Sequence, residues 1–139
     1  MNITTVGHIP PDELESRIQP TNPKKPTKAQ RRRIEIWNKY HHRCAYCGGV
    51  LAYKDMQVDH IHARSRGGKD DIENYNPSCR ACNFYKGDGS IEWFRLQIGE
   101  QVRRLRKTQF IFRMAESFGL IKDTKKEVKF YFETVKTEK

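Results

Sequence analysis

Four cysteines fall into two pairs of identical spacing, Cys44-Ala-Tyr-Cys47 and Cys79-Arg-Ala-Cys82. A two-residue gap lets both thiolates of a knuckle reach one ion, and four thiolates close a tetrahedral zinc site with no position left for substrate, so this Zn2+ would be structural. Between the pairs lie 31 residues, more than the about 15–20 of a zinc ribbon, so the insert carries something else. It contains Asp59-His60. A carboxylate is a hard oxygen ligand suited to Mg2+, and an imidazole exchanges a proton near neutral pH without special tuning. Side by side, the two could bind a metal and activate a water. Alone, the same dipeptide is better read as a surface pair at a strand end, and only its context favours chemistry.

The elements that must position these residues read as an α+β chain. Residues 1–27 hold Pro10, Pro11, Pro20, Pro23 and Pro26 with few large apolar side chains, the composition of a flexible arm. A basic helix is expected from Lys28 to about Tyr40, capped by Thr27, with Ile34 and Trp37 on one face. β-prone residues either side of Lys54-Asp55 suggest a short hairpin, and Val58–Ile61 a strand leaving it. The polar stretch to Asn76, with Gly67-Gly68, reads as a loop ending in a short strand at Asn74–Asn76. Pro77 is expected to end that strand, and Ser78 to cap a helix closing at Gly87. Ile91, Phe94, Ile98, Val102 and Leu105 predict one helix from Ser90 to Arg106. Phe110, Met114 and Phe118 continue a helical period, and Val128–Val135 alternates as a strand with Val128, Phe130 and Phe132 inward. Only 36% of the 139 residues are hydrophobic and 32% are charged, so a single modest core needs a metal or a partner to stabilise it.

Cys44-x-x-Cys47, Asp59-His60-Ile61, Gly67-Gly68, Asn74 and Cys79-x-x-Cys82-Asn83-x-x-Lys86-Gly87, in that order, resemble the HNH endonuclease motif in its zinc-stapled form. The resemblance covers about Arg43 to Gly87. It implies a ββα-metal, treble-clef-like finger with flanking helices, braced at both ends by zinc knuckles. It further implies His60 as general base and Asp59 and Asn83 as protein ligands of a catalytic Mg2+ or Mn2+. Asn74 would be the middle motif residue, whose amide holds the His60 segment in orientation. Asn83 stands where the third motif letter is often histidine, as in HNN members, and its amide oxygen still suits a hard ion. Ala63 stands where a proline often follows, which predicts a looser loop. The nuclease domain would then span 28–107, with 108–139 a C-terminal helix and strand extension.

The formal charge of +10 is the balance of a chain that meets a polyanion, nucleic acid before anionic membrane. Basic residues gather before the finger (Lys24, Lys25, Lys28, Arg31, Arg32, Arg33), in its loop (Arg64, Arg66, Lys69) and after it (Arg103, Arg104, Arg106, Lys107). Lys86, three residues beyond Asn83 on the same helical face, could reach a phosphate together with Arg64 and Arg66. Neither a signal peptide nor a membrane span is evident, so a cytoplasmic, membrane-free protein with reduced thiols is expected. These features predict a metal-dependent endonuclease acting on double-stranded DNA. The alternatives are a non-catalytic zinc-bound DNA-binding module and an accessory subunit of a phage packaging or defence complex, with a homodimer also open.

Overall fold

The computed structural model describes residues 25–135, and most of the expected 1–27 arm lies outside them. Helix α1 (Lys28–Asn38) begins where Thr27 accepts a hydrogen bond from Gln30 N and the Gln30 side chain accepts one from Thr27 N. This reciprocal cap stops the basic first turn from leaving its amides unpaired. The face it buries is Ile36 and Trp37, followed by Tyr40, rather than Ile34. Two antiparallel strands, β1 (Gln57–His60) and β2 (Tyr75–Ser78), pair with Asp59 opposite Asn76 and His60 opposite Tyr75. Helix α2 (Arg80–Lys86) follows β2 directly, then α3 (Ile91–Gly99), α4 (Gln101–Thr108), α5 (Phe110–Ser117) and α6 (Tyr131–Thr134).

Several local expectations change. The residues before Lys54-Asp55 form no strand: Tyr53–Asp55 is a single 3-10 turn, and Leu51 and Met56 on either side of it are buried. Val50 instead bridges back to Arg43, closing the first cysteine knuckle. Pro77 lies inside β2 opposite Val58, which is tolerated because a two-stranded sheet has only edge strands. Cys79, not Ser78, caps α2, its sulfur accepting from Cys82 N at 3.4 Å. The expected 90–106 helix breaks at Glu100 into α3 and α4. Ile91, Phe94 and Ile98 therefore reach the core, whereas Leu105 is left on the surface with Phe110, Met114 and Phe118. Ala63 does not loosen its loop, since its carbonyl accepts from Arg66 N and Gly68 N and closes a tight turn.

The apolar residues form two small clusters. One joins α1 to the sheet through Ile36, Trp37, Leu51, Met56 and Tyr75. The other joins Cys44, Tyr46, Phe94 and Phe130, and Cys79 packs against both. The C-terminal segment supplies Val128, Phe130 and Phe132 inward, as the alternation predicts, but among the described residues it pairs with no strand. Its backbone turns into the short α6, and Tyr131 N and Phe132 N donate to Tyr46 O and Ala45 O. Arg95 pins it by donating to Val128 O and Glu133 and stacking 4.9 Å over the Phe130 ring. Phe130→Ala should cost about 3–5 kcal/mol, the usual loss for emptying a buried aromatic site. Urea denaturation would measure it, and a change below about 1 kcal/mol would mean this segment is not part of the core.

Candidate metal centre and active site

The two cysteine pairs, far apart in sequence, meet. The four sulfurs lie within 4.8 Å of one another, and Cys47 Sγ is 3.9 Å from Cys79 Sγ. Four thiolates about 2.3 Å from a tetrahedral ion stand about 3.8 Å apart, so this donor set fits zinc. The first knuckle turns at Gly48 with φ of +73°, a left-handed position where an added Cβ would also press on the Tyr131 ring at 3.0 Å. Gly48 N donates to Cys44 O, and Gly49 N donates to Cys47 Sγ. The Cys44 thiol is drawn down to about 4 by its hydrogen bond with Cys82 and by backbone N–H groups of Cys79, Cys47 and Tyr46, against the opposing effect of burial. Cys82 is pushed up by the same sulfur contact. Crowded thiols that compete for protons in this way are relieved by a cation that takes all four as thiolates.

Asp59 and His60 end β1, while Asn83 lies on α2, and the three line one shallow cleft of about 240 Å³ with Arg64, Ser65 and Asp88. Asp59 is 4% exposed. Tyr46 donates its hydroxyl to Asp59 Oδ2, and Lys86 Nζ lies 3.3 Å from Oδ1 and 3.2 Å from Oδ2. Burial raises the Asp59 pKa, while the Tyr46 hydroxyl and Lys86 ammonium pull it back. Oδ1 carries one contact of the roughly two it can accept, so a hard cation beside the Asn83 amide fits these donors.

Lys86 corrects the sequence reading. It is 1% exposed and points inward, its ammonium donating to Asp59 and, at 2.9 Å, to His60 O. It cannot contact a phosphate from this position. Removing one member of a buried ion pair typically costs about 3–5 kcal/mol. Lys86→Met should destabilise by that amount in a chemical denaturation curve, and a wild-type midpoint would refute the buried pair.

His60 has a side chain 22% exposed, set edge-on to Tyr75 at 5.0 Å. Its Nε2 is 2.7 Å from Asp70 Oδ1. Tyr75 donates to the same oxygen at 3.3 Å, and Arg64 Nε lies 3.6 Å from Asp70 Oδ2. The hydrogen bond with His60 is the main influence holding the Asp70 carboxyl below its ordinary value. Asn74 does not face the cleft chemistry. Its Oδ1 accepts from His62 N at 2.8 Å, and its Nδ2 donates to His62 O and Lys69 O. Gly68 makes this possible, because a Cβ there would sit 1.7 Å from the His62 carbonyl oxygen. His62 itself closes the turn through Nε2 and Arg66 O.

Arg64 and Arg66 are exposed on that turn, in loose ion pairs with Asp70 and Asp88. The other basic clusters are less free than their charge suggests. Arg33 donates to Tyr53 O and Met56 O, Arg103 pairs with Glu100, and Arg106 pairs with Glu116 and Asp123. Lys24 lies outside the described residues. Sequence reasoning missed Tyr46 and Asp70. Neither belongs to the motif, and each acts through a partner distant in sequence, Tyr46 on Asp59 and Asp70 on His60. No helix among the described residues is long and apolar enough to cross a membrane.

The family model of the HNH endonuclease matches residues 44–89, the stretch that holds both knuckles and the cleft. The CRISPR-associated endonuclease Cas9 of Corynebacterium diphtheriae is 32% identical over 65 residues, 46% of this chain and 6% of that protein. The crystal structure of the Type II-C Cas9 enzyme from Actinomyces naeslundii aligns with 76% of this chain and 12% of its own, at 19% identity and a TM-score of 0.49. The chain thus spans a small fraction of the length of either protein. The match thus places an HNH endonuclease domain at residues 44–89 of this chain.

Proposed function

We propose that this domain hydrolyses phosphodiester bonds in double-stranded DNA by a single-metal mechanism with His60 as general base. The observation that carries the reading is the single cleft lined by Asp59, His60 and Asn83. Asp59 and Asn83 would hold a Mg2+ or Mn2+ ion, which when bound supplies positive charge to the phosphate oxygens and the leaving oxygen. His60 takes a proton from water as the water oxygen attacks phosphorus. The bond to the 3′ oxygen breaks, and solvent supplies that oxygen's proton, leaving 5′-phosphate and 3′-hydroxyl ends. Asn74 keeps the backbone beyond His60 fixed, so the ring does not have to be ordered at each turnover. Lys86 and Tyr46 hold the Asp59 carboxylate from the buried side.

Arg64 and Arg66 would bind flanking phosphates from the rim. A second groove of about 390 Å³, lined by Arg32, Arg64, His60 and Tyr75 among others, extends the path along α1. Contacts of this kind follow the backbone and not the bases, so affinity should fall steeply with salt. Zinc-loaded protein incubated with supercoiled plasmid tests the reading. Nicked product that forms only with Mg2+ or Mn2+, and that ligase reseals, is expected. Intact plasmid under every divalent cation would overturn it.

A further inference from the structure

We infer that Asp70 is the positioning residue for His60, fixing its ring so that Nε2 carries the proton and Nδ1 is left as the basic nitrogen. Resting on the nuclease reading, this assigns a role to a residue outside the motif. Three observations carry it. Asp70 Oδ1 lies 2.7 Å from His60 Nε2, a contact a neutral ring makes only by donating. The carboxylate is itself oriented, with the Tyr75 hydroxyl on the same oxygen and Arg64 on the other.

The third observation is the frame. Asn74 Nδ2 binds both His62 O and Lys69 O, joining the backbone just after His60 to the backbone just before Asp70. On the other side of Asp70, Asp71 caps the next turn by accepting from Glu73 N and Asn74 N. One amide therefore sets imidazole and carboxylate at a fixed separation, although ten residues part them. A carboxylate placed this way fixes the tautomer of a histidine and favours the cation that forms when the ring accepts a proton.

The sign of the effect separates this role from a mere surface charge. Asp70 adds negative charge beside the expected phosphate path, so its loss should leave DNA affinity equal or tighter. A positioning residue predicts slower cleavage all the same. Asp70→Ala and Asp70→Asn should lower the single-turnover rate at saturating DNA by about 10-fold or more. The melting temperature should hold, and Asp70→Glu should recover part of the rate. In a His60→Ala background, Asp70→Ala should have no further effect. Cleavage by Asp70→Ala at or above the wild-type rate would overturn the inference and leave the nuclease reading standing. Failure of the wild-type protein to cleave would overturn that reading instead. The inference would then be decided by long-range 1H–15N spectra of the neutral His60 ring: an Nε2–H tautomer that becomes mixed in Asp70→Ala supports it, and an unchanged tautomer refutes it.

Discussion

Removing zinc is expected to unfold the protein outright rather than to lower its melting temperature by a few degrees. The two apolar clusters are small, with five and four fully buried members, and Cys79 packs against both. Zinc held by four thiolates contributes about 10–16 kcal/mol in comparable peptides, whereas a whole domain is stable by about 5–15 kcal/mol. Losing a contribution of that size would leave the finger with no net stability. Cys44 is fully buried against Tyr46 and Phe94, so Cys44→Ser should yield protein without a cooperative thermal transition. Treatment with a strong chelator should do the same reversibly, with one zinc per chain measured by atomic absorption. A metal-free protein that melted like the wild type would show that the cysteines merely fill the core.

His60→Ala is expected to lower the single-turnover cleavage rate by about 10²–10⁴-fold, the range a positioned general base supplies. DNA affinity should be unchanged, because the rim arginines Arg64 and Arg66 carry the expected phosphate contacts. The fold should survive, since the ring is partly exposed and its packing is limited to an edge contact with Tyr75. Rate and affinity measured on the same preparation would check both statements. Equal cutting by wild type and variant would remove His60 from the chemistry.

The residue types and spacings were enough to single out the four cysteines that cluster, the Asp59-His60 pair and the polar Gly67-Gly68 loop, because ligand chemistry and tight turns are written locally. Thr27 as a cap and the buried Phe94 and Phe130 were legible for the same reason: capping acts over three residues, and burial leaves a period in the chain. What the tertiary structure alone decided is where the charged side chains go. Lys86 reads as a phosphate contact on the helical face of Asn83, yet it meets Asp59, 27 residues away, beneath the cleft. Arg95 finds Glu133 across 38 residues, and with that anchor the C-terminal alternation settles as a packed segment instead of a strand. Asp70 reaches His60 where Asn74 ties the backbone at His62 to that at Lys69. Sequence period fixes which face of an element is apolar, but a flexible charged side chain takes its direction from whichever partner the assembled fold brings within reach.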